Sequence, residues 1–149
     1  MIRIFQSSDL SRVMEIWLRS NMQAHPFIPH SYWETHFDEV SKALAQASVF
    51  VYESGGGIQG FIGLTGDYIA GIFVDDAARG NGIGRMLLDH AKGRHTRLTL
   101  QVYEKNRRAA AFYQREQFII QARQLDESTG EMELLMAWTE KIRGALQNG

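Results

Sequence analysis

Three glycines, Gly80, Gly82 and Gly84, crowd into five residues directly ahead of a helix-like run in RGNGIGRMLLDHA, Arg79 to Ala91. Glycine loses more conformational freedom on folding than any other residue, so such a loop weakens a fold unless its backbone is needed. One use is a tight connection between a strand and a helix. The other is an anion site. A helix start offers unpaired N–H groups and a partial positive charge. A backbone free of side chains lets a phosphate approach them. Arg79 and Arg85 flank the loop and can add charge-assisted hydrogen bonds. Either use requires a strand to deliver the chain to the loop and a helix to carry it away.

The rest of the sequence supplies such elements. Leu10, Val13, Met14 and Trp17 predict an amphipathic helix over Asp9 to Ser20. HPFIP, His25 to Pro29, breaks it, because proline disfavours helix in the residue before it. A second helix is expected from Ser31, which has capping-box spacing to Glu34, with Trp33, Phe37, Val40 and Leu44 as its stripe. From Ser48 the pattern becomes that of strands: SVFVYES, a GGG turn, IQGFIGLTG and, after Gly66-Asp67, YIAGIFVD. Short links make these three an antiparallel meander. A helix follows the glycine loop, from about Gly82 to Arg94. Next come a strand RLTLQVYE, a helix NRRAAAFYQREQ with Asn106 as N-cap, and strands FIIQARQLDE and EMELLMAWT around Ser128 to Gly130.

The unit from Tyr68 to Glu104 reads as a parallel crossover. The predicted class is α/β (α+β): a mixed, mostly antiparallel sheet of about seven strands with helices on both faces. No linker or repeat divides the chain, so a single domain over residues 1–140 and a tail over 141–149 are expected.

Composition removes several functions. The chain has 149 residues, a formal net charge of −1 and no cysteine. Disulfides, thiolate zinc sites and cysteine nucleophiles are excluded. Without a basic excess, nucleic acid is not an expected partner. MIRIFQSSDL lacks the apolar core of a signal peptide, and no apolar run reaches the ~20 residues of a membrane span. A cytoplasmic protein with no membrane partner is expected. His90 and His95 are poorly spaced for one helix face and HExxH is absent, so no metal is expected.

Two phosphate motifs fail at the loop. A triphosphate loop needs Gly-Lys-Ser/Thr, whereas Gly84 is followed by Arg85 and Met86. A dinucleotide GxGxxG would place its third glycine at Arg85, and Asp76 to Ala78 separate the loop from its strand. The pattern that fits is R-x-x-G-x-G over Arg79 to Gly84. A second stretch, Val102 to Phe118, carries Val102, Asn106, Ala109, Phe112, Tyr113 and Phe118 at matching positions. In these two motifs, and in element order along nearly the whole chain, the sequence resembles the GNAT superfamily of acetyl-CoA-dependent N-acetyltransferases. The likeness is to a small single-domain bacterial member. Two positions depart from the pattern: Gln117 where glycine is common, and Asp76 where proline is frequent.

The resemblance implies direct transfer of acetyl from acetyl-CoA to a primary amine, through a ternary complex and without metal. The amine would be a protein lysine or N-terminus, or a small molecule. Arg79, Gly80, Asn81, Gly82, Ile83, Gly84 and Arg85 would bind the pyrophosphate. Val74 would pair with the pantetheine amides, and Ile72 or Phe73 would donate an N–H to the thioester oxygen. Asn106 would meet the pantetheine arm. Tyr113 would protonate the leaving thiolate as general acid. Glu104 is a candidate base, with Asp67, Tyr68, His25 and water relays left open. His25, Phe27 and Trp33 are expected at the acceptor site. An alternative is a non-catalytic acyl-CoA-binding or sensing module. Oligomeric state is expected to be monomer or homodimer.

Overall fold

Short, nearly continuous apolar runs set the centre of the chain as sheet, and helical stripes cover it. The computed structural model describes residues 1–140; the expected tail at 141–149 lies outside the described residues. The strands are β1 (Ile2–Ile4), β2 (Ser48–Ser54), β3 (Gly57–Thr65), β4 (Tyr68–Val74), β5 (Arg97–Tyr103), β6 (Ile119–Asp126) and β7 (Glu131–Thr139). The helices are α1 (Leu10–Ala24), α2 (His30–Gln46), α3 (Ile83–Lys92) and α4 (Arg107–Arg115). Short 3₁₀ turns occupy Ser7–Asp9 and Asp76–Ala78.

The strands form one sheet in the order β1-β2-β3-β4-β5-β7-β6. Among the described residues only β4 and β5 run parallel, across the crossover that contains α3. The expected mixed sheet and antiparallel meander are therefore present. On one face, Leu87, Leu88 and Ala91 of α3 and Tyr113 of α4 pack against Ile62, Leu98, Leu100 and Met136. On the other, Val13, Ile16 and Trp17 of α1 and Trp33 of α2 pack against Val49, Val51 and Phe61.

Helix boundaries show where local chemistry decided. The expected capping box at Ser31 is not formed. The helix starts at His30 with Pro29 as N-cap and no side-chain cap bond. Pro29 already holds φ at −57°, which places Ser31 inside the first turn. Asn106 does cap α4, its Oδ1 accepting the Ala109 N–H at 3.2 Å.

The chain leaves α4 through Gln117 at φ 74°, a left-handed conformation usually given to glycine. The Phe118 N–H closes the helix end on the Tyr113 carbonyl at 2.9 Å. A β-carbon in this region costs about 1–2 kcal/mol. Gln117→Gly should therefore raise stability by about 1 kcal/mol, less the added freedom of the unfolded chain. A higher denaturant midpoint with an unchanged slope is the expected result.

Two carboxylates, buried Asp9 and half-buried Asp75, tie the N-terminal region to the sheet. Asp9 accepts Arg3 Nη1 at 2.8 Å, Arg3 Nη2 at 3.0 Å and the Gln6 N–H at 2.8 Å. Asp75, just past β4, accepts Arg12 Nη2 of α1 at 2.7 Å. The guanidinium hydrogen bonds hold both carboxyls below the usual carboxylate range. A folded-state value below the unfolded one gives stability that is full above the unfolded value and lost as pH falls through the folded one. Thermal melts should be flat from neutrality to about pH 5 and fall below about pH 4. The double variant Asp9→Asn, Asp75→Asn should melt lower at neutral pH and lose much of the acid dependence. An acid limb unchanged in that variant would assign it to other groups.

Candidate active site

The sheet opens between β4 and β5. These strands pair only at Tyr68↔Thr99 and Ile69↔Leu100. Yet β5 continues its ladder with β7 as far as Tyr103↔Glu133. The cause lies in β4. Its register with β3 passes from Leu64↔Ile69 to Gly63↔Gly71, leaving Ala70 unopposed. A bulge of this kind bends the strand. Beyond it, residues 71 to 74 keep β3 on one side and have no strand on the other. The gap is a cleft of about 830 Å³.

At one end of the cleft sits the glycine loop. Gly80 and Gly82 have φ of 85° and 75°, and a β-carbon at either would meet nothing within 4 Å. Packing does not require glycine there; backbone conformation and open space do. Gly82 is the N-cap of α3 and lacks a side-chain cap. The first bond into the helix is from the Met86 N–H to the Gly82 carbonyl at 3.0 Å. Among the described residues, no acceptor meets the N–H groups of residues 80 to 85. They form a cradle for an anion at the positive end of a helix.

Tyr113 lines the same cleft and is 6% exposed. Its ring packs edge-on against Phe112 and Phe118, at 5.1 and 5.4 Å between centroids. Its hydroxyl makes no hydrogen bond among the described residues. Burial, with a smaller contribution from Tyr68, pushes it well above the ordinary phenol range, so it is protonated at neutral pH.

At the other end, the loop between α1 and α2 brings His25 against α4. The Asn21 carbonyl lies 3.1 Å from His25 Nδ1 and can only accept, so the proton sits on Nδ1. Nε2 is left as an acceptor, 3.4 Å from Asn106 Nδ2. Burial lowers the imidazole's pKa and favours the neutral ring. Trp33 stacks on it at 5.2 Å, and Phe27 and Tyr103 meet it edge-on.

The family model described as acetyltransferase (GNAT) domain matches residues 45–120, just over half of the chain. This protein is a member of the GNAT family. Among its relatives is the peptidyl-lysine N-acetyltransferase YiaC of Escherichia coli strain K12. The two are 37% identical, over 93% of this chain and 96% of the relative. Another is the peptidyl-lysine N-acetyltransferase YjaB of Salmonella typhimurium, 31% identical over 87% of this chain and 90% of the relative. The solution structure of apo YjaB from Escherichia coli superposes with a TM-score of 0.82 and 29% identity, covering 93% and 96% of the two chains. The GNAT fold is also shared by a Bacillus anthracis chain solved with acetyl coenzyme A, at a TM-score of 0.57 and 23% identity over 62% of each chain.

As a GNAT protein the chain is an N-acetyltransferase, and the family's acetyl donor is acetyl-CoA. Its cleft suits that donor. Among the described residues the lining includes Arg79, Arg85, Lys105, Arg107, Arg108 and Arg115 and no carboxylate. In a chain of net charge −1, this is a strong local segregation of cations. The sequence leaves Arg107 and Arg108 between a solvated face and contact with the adenosine phosphates; the fold turns both, with Arg115, toward the gap.

Most of the GNAT positions expected from the sequence meet here. Ile72, Phe73, Val74, Arg79, Gly80, Gly82, Ile83, Gly84, Arg85, Asn106, Tyr113, His25 and Phe27 all line the cleft. Three do not. Asn81 turns its side chain back onto the Ala78 carbonyl at 2.9 Å. Trp33 lies behind His25, which it stacks on. Glu104 pairs with Arg123 through two hydrogen bonds, the longer at 2.9 Å, and this pairing lowers its pKa. Ser20, Asn21 and Gln23 of α1 also line the cleft. They were missed because α1 runs a turn beyond its apolar stripe, where nothing in the pattern marks polar residues for a site. No helix among the described residues is long and apolar enough to cross a membrane. No cluster of three or more ligating side chains among them could hold a metal.

Proposed function

We propose that this protein acetylates lysine side chains of proteins, taking acetyl from acetyl-CoA directly to the amine in a ternary complex. The observation that carries this reading is the opening of β4 from β5. It puts an unpaired strand edge, a cationic N–H cradle and the Tyr113 hydroxyl in one cleft. The peptidyl-lysine acetyltransferases YiaC and YjaB, similar along most of their length, support lysine as the acceptor.

Acetyl-CoA supplies an acetyl thioester, and this chain's residues hold and activate it. The N–H groups from Gly80 to Arg85 bind the pyrophosphate, with Arg79 and Arg85 adding charge. The backbone of Val74 pairs with the pantetheine amides as an added strand would. The N–H of Ile72 or Phe73 bonds the carbonyl oxygen on which negative charge develops. Asn106 contributes its side-chain amide to the arm, the other end of that side chain being spent on the helix cap. Tyr113 donates its proton to the departing thiolate sulfur and regains one from the newly acylated nitrogen. His25 and Phe27 flank the acceptor side, with Trp33 fixing the His25 ring from behind. Glu104, paired and weakened as a base, is not given the first proton of the ammonium, which leaves through water.

The test is release of free thiol from acetyl-CoA with a panel of lysine peptides and small amines. Turnover with lysine peptides, lost in Tyr113→Phe, is expected. Tight acetyl-CoA binding without turnover on any amine would favour the sensing module instead.

A further inference from the structure

The open edge of β4 sends side chains to both faces of the sheet. Ile72 and Val74 pack with the α3–α4 cluster, on the side of Tyr113, whereas Phe73 packs with the α1–α2 cluster on the other. Strand alternation puts Gly71 on the same face as Phe73. The Phe73 ring lies back over Gly71: a β-carbon there would sit 2.6 Å from the ring's Cζ, and closer still to its Cε2. Gly71 has no left-handed φ, so this position uses the missing side chain and not the backbone freedom of glycine.

The ring is held from a second direction. It stacks on buried Phe61, its cross-strand neighbour on β3, at 5.1 Å between centroids and 29° between planes. It is thus fixed between another ring and bare backbone, next to the bulge at Ala70 where the cleft narrows. α1 packs over β3 and β4 on this face and gives the cleft Ser20 and Asn21, both buried. Asn21 is also held: its Nδ2 donates to the Trp17 carbonyl at 2.9 Å, and its own carbonyl meets His25 Nδ1. The α1 side of the opening is therefore walled by groups already fixed in place.

We propose that the Phe73 ring, seated on Gly71, forms the wall that the donor's acyl group meets and restricts the transferred group to acetyl over longer acyl chains. The inference rests on the transferase reading above, in which an N–H of Ile72 or Phe73 holds the thioester oxygen and Tyr113 faces the sulfur. A thioester carbon carries its oxygen, sulfur and acyl carbon in one plane. With the oxygen directed to β4 and the sulfur to the α4 side, the acyl carbon is directed to the α1 side. There each added methylene meets the ring, and Phe61 and Gly71 leave the ring no room to retreat toward the sheet. Phe73 is in this way a specificity residue through its side chain, separately from its backbone N–H.

The experiment uses acetyl-, propionyl- and butyryl-CoA with native protein, Phe73→Leu and Phe73→Ala. Calorimetry gives the affinity for each thioester without acceptor, and initial rates with one lysine peptide give kcat/KM. A methylene that a pocket must accept or reject is worth about tenfold or more in kcat/KM. Native protein should therefore lose about tenfold or more from acetyl to propionyl and lose further at butyryl, with affinity falling in the same order. Phe73→Ala should raise the butyryl-to-acetyl ratio by about tenfold or more in both readouts. Phe73→Leu, a smaller change to the packing, should raise it by a smaller factor. Ratios between donors on one protein cancel any general loss of activity or stability. Native protein that binds and uses butyryl-CoA as well as acetyl-CoA overturns the proposal, and so do unchanged ratios in both variants. Either result leaves the transferase reading standing; native protein that transfers no acyl group from any of these donors to any amine overturns both.

Discussion

Tyr113→Phe is expected to lower kcat by about 10²–10⁴-fold while acetyl-CoA binds as tightly as in the native protein. The variant removes one oxygen from a ring packed between Phe112 and Phe118 and leaves the packing in place. Burial keeps the native hydroxyl protonated, which a donor must be. The same desolvation makes a thiolate leaving at this position more basic, so donor and acceptor of the proton stay matched. A conservative loss with intact binding therefore isolates proton donation. Calorimetry for binding and thiol release for turnover separate the two quantities. Equal kcat in the two proteins would hand protonation to water and remove Tyr113 from the reaction.

Gly82→Val is expected to weaken acetyl-CoA binding by more than ~100-fold, the loss of about two charge-assisted hydrogen bonds. Gly82 has φ 75° and caps α3, so a β-branched residue there is forced toward extended geometry. That rotation would turn the N–H groups of the cradle away from their common focus. A β-carbon at this position meets nothing within 4 Å, so the free fold accepts the side chain with only the backbone strain. Circular dichroism should remain native-like with a modestly lower melting temperature. Unchanged affinity in calorimetry would move the pyrophosphate away from this loop.

The two regions tested by these variants were the most legible in the sequence. RGNGIG and NRRAAAFY each combine a local backbone requirement with a chemical one, so their residue types are tightly restricted. The strands were legible for a simpler reason: SVFVYES and IQGFIGLTG are short β-branched and aromatic runs bounded by glycine turns, as strands covered on both faces are. What stayed hidden depends on contacts between distant segments. YIAGIFV reads as one continuous strand, yet Ala70 bulges and turns its second half away from β5. Glu104 sits at the end of a strand beside the gap, but Arg123 of β6 captures it. Arg107 and Arg108 open α4 side by side and read either as a solvated helix face or as partners for the adenosine phosphates. Their convergence on the cleft follows from the docking of α4. The capping pair Ser31 and Glu34 had correct spacing and was displaced by Pro29, whose fixed φ started the helix first. Gln117 shows the reverse: it stands where glycine is common, which left open either a left-handed residue or a different helix end, and the fold takes the left-handed one.

Acetyl passing directly from a donor in the β4–β5 cleft to a lysine amine leaves no acetylated form of the protein. The most direct measurement is the mass of both the protein and a lysine peptide, taken during the first turnover with acetyl-CoA. The expected result is one acetyl group on the peptide lysine, an equal amount of free coenzyme A, and no acetyl on the protein at any time point. An acetylated protein that forms and decays before the peptide product would contradict direct transfer, and a saturated but unreactive complex would contradict transfer altogether.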